Sequence, residues 1–204
     1  MIGFLVGAIL GVFGQGAGPA DSLITFQFDR PALRQPGYTF EVHRDGRAAY
    51  TQAGVSVPLE VSTGLAARIF EEAVSVARFD FPCASKKKGI ADTGLKTLAY
   101  KGQDGAGSCT YNYTESKTVQ TLTDQFQGMA LMLEEGRKLE MEHKYDRLAL
   151  YGEMTTLEGM VKDGRAIEVG LIAKELWSLV GDPDVLEKVR VKAGDLLKTM
   201  EIAR

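Results

Sequence analysis

Two cysteines, two histidines and a scatter of carboxylates are the side chains here from which chemistry could be built. Cys83 and Cys109 have no metal-like spacing. In an oxidising compartment an even pair of this kind closes a disulfide, the alternative being two buried thiols packing as small apolar groups. His43 follows a hydrophobic alternation and precedes Asp45-Gly46, so it reads as a half-exposed polar partner at a strand end. Glu140 and His143 stand at the i, i+3 spacing used by carboxylate di-metal bundles, but such a site needs two copies of the pair. With one copy, they read as a solvated helix face, and no metal or other cofactor is expected.

A nucleophile elbow, a P-loop, an H-E-x-x-H helix and a C-x-x-C pair are all absent from the sequence. Gly102 to Gly107 would cradle a phosphate only ahead of a helix N-terminus, and a strand follows it instead. Tyr100, Tyr111 and Tyr113 could form an aromatic platform for a sugar or a peptide, although cross-strand packing is the commoner use of such residues. Asn112-Tyr113-Thr114 matches a glycosylation acceptor, which matters only in a eukaryotic source. No catalytic residue is therefore named. An enzyme would have to assemble its site from dispersed carboxylates such as Glu41, Asp92 and Asp104.

The elements that must position these residues are legible from periodicity. Leu23 to Phe28 alternates as a strand, and Pro31, Pro36 and Gly37 then break the chain. Tyr38 to Thr51 reads as a hairpin around a two-residue Asp45-Gly46 turn. That register puts Tyr38, Phe40, Val42 and Ala49 on one face and Glu41, His43, Ala48 and Tyr50 on the other. Val55 to Val61 adds a strand. Ser62 then caps a helix carrying Leu65, Ile69, Phe70 and Ala73 at helical spacing and ending near Phe79. Leu95 to Lys101 and Ser108 to Tyr113 form a second hairpin. Tyr38, Phe40, Val42, Leu65, Ile69 and Leu98 should share one core.

From Lys117 the pattern is helical, with Val119, Leu122, Phe126, Met129 and Leu133 in one stripe. Further helices are expected over 146–162, over 165–180, and from Asp182-Pro183, read as an N-cap with proline at the first helical position. The fold class is thus α+β: an antiparallel sheet of hairpins packed on a helix, followed by a C-terminal helical segment. The division runs 1–20, 21–142 and 143–204.

Residues 1–20 are read as a signal peptide. No charged side chain precedes Asp21, and Ile2 to Phe13 is apolar but for Gly3, Gly7 and Gly11. The small residues from Gly14 to Ala20 suit signal peptidase, with cleavage after Ala20. The glycines at spacing four would also suit a membrane anchor. Such an anchor would be short, about 18 Å of helix against roughly 30 Å of hydrocarbon. After cleavage no stable membrane span is expected, and the mature chain is placed in the periplasm or outside the cell. The net charge of -3, with no basic excess in either half, excludes nucleic acid as a natural partner, and Lys86-Lys87-Lys88 reads as a solvated loop.

Tyr38-Thr39-Phe40-Glu41-Val42 with Asp45-Gly46, a helix ending in Ala77-Arg78-Phe79, Ala91-Asp92-Thr93 ahead of a strand, and a second glycine-turned hairpin run in order. From 38 to about 129 this order resembles an uncharacterised domain of unknown function in exported bacterial proteins. That family often carries an early cysteine pair near the first hairpin, which is missing here. The resemblance implies export and fold, and no activity. The expected function is that of a noncatalytic envelope or secreted protein that binds another macromolecule, such as another envelope or secreted protein. A hydrolase built from scattered carboxylates and a structural subunit of a larger assembly are the alternatives.

Overall fold

A computed structural model of the chain describes residues 22–30 and 37–202. The apolar run from Ile2 to Phe13, the expected cleavage point after Ala20, and Pro31 and Pro36 lie outside the described residues. Among the described residues no helix is long and apolar enough to cross a membrane.

The alternating segments form one antiparallel sheet of six strands: β1 (Leu23–Asp29), β2 (Gly37–His43), β3 (Arg47–Gln52), β4 (Val55–Glu60), β5 (Leu95–Gly102) and β6 (Gly105–Tyr111). Their order is β4-β3-β2-β1-β5-β6, so β1 joins the two expected hairpins into one sheet. One face buries Ile24, Phe26, Phe40, Val42, Leu98, Tyr100 and Tyr111. The opposite face carries Ser56, Thr51, Thr39, Gln27, Thr97 and Thr110 side by side across all six strands. This is the pattern of a sheet with one face on the core and one in water.

The first hairpin turns at Asp45-Gly46, but through three residues rather than two. His43 O accepts from the Gly46 N–H at 3.0 Å, Gly46 takes a φ of 91°, and Val42 pairs with Ala48. The extra loop residue shifts the return strand by one position and so exchanges its faces. Ala48 and Tyr50, expected outside, lie on the core, and Ala49 turns outward. The reason is burial: the Tyr50 ring sits 4.8 Å from Phe40 and 5.6 Å from Tyr38. An aromatic side chain removes roughly 150–250 Å² from water, far more than alanine can.

Both sheet edges are interrupted. At the β4 edge, Val61 N–H donates to Gly46 O at 2.9 Å, which fixes the pairing phase so that Ser56, Pro58 and Glu60 present their backbone outward. Pro58 has no N–H to offer there. At the β6 edge, Ala77, Arg78 and Phe79 form a left-handed turn with φ of 49°, 54° and 66°. The helix before it therefore ends earlier than expected, at Ser75. The turn fits because Gly107 has no side chain, and a Cβ there would stand 2.4 Å from Arg78 O. Complete burial of Phe79 offsets the backbone strain.

Helix α1 (Thr63–Ser75) starts as expected, with Ser62 Oγ accepting from Leu65 N–H at 3.3 Å. Its buried Leu65, Ile69 and Phe70 cover the sheet together with the first half of α2 (Lys117–Tyr145), where Phe126 stacks on Phe26 at 4.9 Å. Tyr38 packs against this core partly buried, and Phe40, Val42 and Leu98 are fully inside it. At 29 residues, α2 is about 43 Å long and belongs to two cores. Its second half, with Met132 and Leu139, packs on α3 (Leu150–Lys162), α4 (Ala173–Gly181) and α5 (Glu187–Ile202).

Two helical expectations in this part are corrected. Residues 165–168 are irregular and lead through a 3-10 turn, Val169–Ile172, into α4, so one helix does not cover 165–180. Glu168, in the left-handed region at a φ of 59°, instead reaches back to α1. Its carboxylate accepts from Ser62 N–H at 3.0 Å and Ser62 Oγ–H at 2.8 Å. Asp182-Pro183 does not open α5, which begins at Glu187. Asp182 Oδ1 accepts from Asp184 N–H at 2.8 Å, closing a local turn, and its other oxygen is taken by His143 of α2 and by Arg147 just after it.

Candidate functional site

The β5–β6 hairpin, the loop before β5 and the N-terminal third of α2 meet around a buried lysine. Lys96 sits on the core face of β5 and is 6% exposed. Its Nζ donates to Thr93 Oγ1, Gly94 O and Asn112 O, each at 2.9 Å, with Thr93 O at 3.4 Å. An ammonium has three hydrogens, so this cage of neutral oxygens leaves none for a ligand. Burial holds the Lys96 pKa below the usual lysine range, with Asp92 opposing the shift and Arg30 adding to it. Asn112 completes the frame. Its Oδ1 accepts from Thr93 N–H at 2.8 Å, and its Nδ2 donates to Ala91 O at 2.8 Å.

Outside this frame lies an open cleft of about 440 Å³. Thr93, Asn112 and Tyr113 form one wall, and Gln120, Asp124 and Gln127, repeating at helical spacing, form the other. Tyr113 is 41% exposed, and Asp124 is exposed. Beneath them Tyr111 bonds Thr123 Oγ1 at 2.5 Å, and burial pushes its phenol up to about 12. The rim backbone is already used. Tyr113 O accepts from Ser85 N–H at 2.9 Å, and Thr114 O accepts from Gln120 Nε2 at 2.7 Å. The arrangement can bind; in its one hydroxyl–amine contact, Lys96 Nζ donates to Thr93 Oγ1 and the hydroxyl in turn donates to Asn112, so the amine is not placed as a base toward that hydroxyl.

The residues singled out in the sequence are spread apart. Cys83 and Cys109 are joined in a disulfide, with Cα atoms 5.8 Å apart, which ties the loop after α1 to β6. Asp92 and Asp104 flank opposite ends of β5, and Glu41 lies on the outer face of β2, so the three carboxylates share no cleft. Asp104 accepts from Tyr100 Oη at 2.7 Å and from the Arg78 guanidinium at 2.6 Å, and these bonds hold its carboxyl below the ordinary range. Tyr100 and Tyr111 are 2% exposed, so they pack in the core and only Tyr113 offers a ring to a ligand. Gly102 to Gly107 is mostly strand, around a two-residue Gln103-Asp104 turn. Lys87 pairs with Glu115 at 2.6 Å.

Two clusters escape sequence reasoning because their members are far apart in the chain. His143, read as part of a solvated helix face, is 19% exposed. Its Nε2 bonds Asp182 Oδ2 at 2.8 Å and its Nδ1 faces Ser178 Oγ at 3.5 Å. The bond to His143, with help from Asp184 N–H and Arg147, holds the Asp182 carboxyl low. These are the residue types of a nucleophile triad. However, Ser178 lies inside α4, where helical backbone N–H groups are already bonded and cannot receive an oxyanion. The network clamps the end of α2 to the turn after α4. The second cluster joins α2 and α3. Glu153 is 6% exposed and pairs with Lys138, while buried oxygens of Glu135, Glu142 and Glu153 have no hydrogen-bond partner. Burial and the neighbouring Glu153 push Glu135 up to about 7. Among the described residues no three His, Cys, Asp or Glu side chains converge as a metal site.

The sequence matches no model of a known protein family and no curated protein.

Proposed function

We propose that the chain is a noncatalytic exported binding protein, which after loss of residues 1–20 holds another envelope or secreted molecule in the cleft between Tyr113 and Gln127. The observation that carries this reading is the cleft itself: a site in the size range of ligand pockets, roughly 300–1,000 Å³, whose frame is rigidly bonded and whose walls keep a half-exposed aromatic ring and polar side chains facing solvent. The Cys83–Cys109 disulfide supports an oxidising compartment. A hydrolase draws support only from Ser178, His143 and Asp182, and the missing oxyanion donors weigh against it.

Co-sedimentation with washed envelopes and with the insoluble secreted fraction of the source tests the reading. The purified chain should sediment with one of them, and Tyr113→Ala should lower the bound amount at least fivefold, while Thr39→Ala on the outer sheet face leaves it unchanged. Absence of sedimentation, or sedimentation indifferent to Tyr113, overturns it. Labelling of Ser178 by a fluorophosphonate would establish the hydrolase instead. Export is checked on the same material: the native protein should begin at Asp21, and recovery of an intact chain from Met1 in a soluble fraction refutes the signal peptide.

A further inference from the structure

The chemistry left open in the cleft selects among macromolecules. We propose, building on the binding reading above, that the cleft takes an uncharged glycan. Peptides bind open sites chiefly by adding a strand or by laying an apolar helix face into a groove. Both modes are disfavoured here. The carbonyls around the rim, those of Thr93, Gly94, Asn112, Tyr113 and Thr114, already accept hydrogen bonds from Lys96, Ser85 and Gln120. The walls carry Thr, Asn, Gln, Asp and Tyr side chains, with no aliphatic residue among the lining for an apolar helix face to pack on.

An anionic polymer is disfavoured on equally local grounds. The one cation among the lining residues is Lys96, and its three hydrogens are spent inside the oxygen cage. Lys87 is paired with Glu115, while Asp124 lines the cleft with a carboxylate that repels anions. What remains suits a neutral polyol. Asp124 supplies carboxylate lone pairs that two adjacent hydroxyls can share, and Gln127 supplies an amide that both donates and accepts. Tyr113 presents a flat apolar face, with a polar tip, against which the C–H face of a sugar ring can lie. These three groups come from both walls, so a sugar would be gripped between ring and helix.

The test is a titration of the full chain, followed by its amide NMR spectrum, with neutral tetrasaccharides of glucose, mannose and N-acetylglucosamine, a uronic-acid tetrasaccharide and a mixture of tetrapeptides. A neutral oligomer should shift the amides of Thr93, Tyr113 and Gln127. Tyr113→Ala should weaken its binding at least tenfold and Asp124→Asn at least fivefold, while Tyr113→Phe, which keeps the ring, stays within threefold. An unchanged circular dichroism spectrum shows that the variants fold. If the uronate or a peptide shifts those amides and no neutral sugar does, the glycan assignment is overturned and the binding cleft stands. If nothing in the panel shifts them while envelope sedimentation still depends on Tyr113, the glycan assignment alone again fails. If sedimentation is absent as well, both readings fail.

Discussion

Replacing Glu135 by glutamine should change how the stability of the protein depends on pH. Glu135 on α2 faces Glu153 of α3, with Glu134, Lys138 and Glu142 beside it on α2, and Lys138 is the one ammonium paired with this group of carboxylates. Burial and Glu153 raise the Glu135 pKa from 4.5 to about 7, while bonds from Glu135 and Lys138 draw the Glu153 carboxyl down against the opposing effect of its own burial. A carboxyl whose folded pKa exceeds its unfolded one keeps a proton that the unfolded chain has lost. Stability therefore falls as pH rises from the unfolded value near 4.5 to the folded value near 7, and the loss is complete above that. Glu153 acts oppositely, adding stability above the ordinary carboxylate range that is lost as pH drops below it. At 1.36 kcal/mol per unit, the full Glu135 shift would be worth about 3 kcal/mol, which partial solvent access reduces to about 1–2. Glutamine carries no proton to lose. Urea unfolding at pH 5, 6, 7 and 8 should find Glu135→Gln close to wild type at pH 5 and about 1–2 kcal/mol more stable at pH 8. Curves that run parallel across this range would refute the shared-proton account of the α2–α3 contact.

Three further outcomes follow from the fold. Replacing both Cys83 and Cys109 by serine should cost about 3–4 kcal/mol in urea unfolding, given a sequence separation of 26 and the loop-entropy relation, and the denatured, unreduced wild type should show no titratable thiol. Gly128→Ala should destabilise by about 1–3 kcal/mol, because its Cβ would stand 2.4 Å from Ile167 Cγ1 and 2.9 Å from Ile167 Cβ; Gly152→Ala, with nothing within 4 Å, should instead stabilise α3 by about 0.5–1 kcal/mol through helix propensity. Thermal melts of the two variants moving in the same direction would contradict this. Glu168→Ala should cost about 1–2 kcal/mol by stripping Ser62 of its partners, and combining it with Ser62→Ala should add less than the sum of the two changes, measured as a double-mutant cycle.

The Glu168 contact also bears on how the two cores hold together. A glutamate at the third helical position often returns a bond to the N-cap backbone of its own helix. Here that place is filled from 106 residues away, so the sheet core and the helical core are linked at the start of α1 as well as along α2.

Strand and helix identities were determined by the sequence, because each rests on interactions within a turn or two of chain. Alternation marks the strands, Ser62 and Ser116 cap α1 and α2 through bonds to residues three positions on, and the two cysteines of the sequence have only each other to pair with. Tertiary structure decided whatever depends on which distant surface is available. The first hairpin could be closed by two residues or by three at similar local cost, and burial of Tyr50 against Tyr38 and Phe40 chose three. The end of α1 was set by the room that Gly107 leaves on β6, and the start of α5 by Asp182 being held at His143 and Arg147. The cleft was illegible for the same reason. Tyr113 and Lys96 were visible as residue types, but only packing of the hairpin against α2 sealed the lysine with carbonyls, turned Tyr100 and Tyr111 inward, and left Tyr113 facing Asp124 and Gln127 across open space.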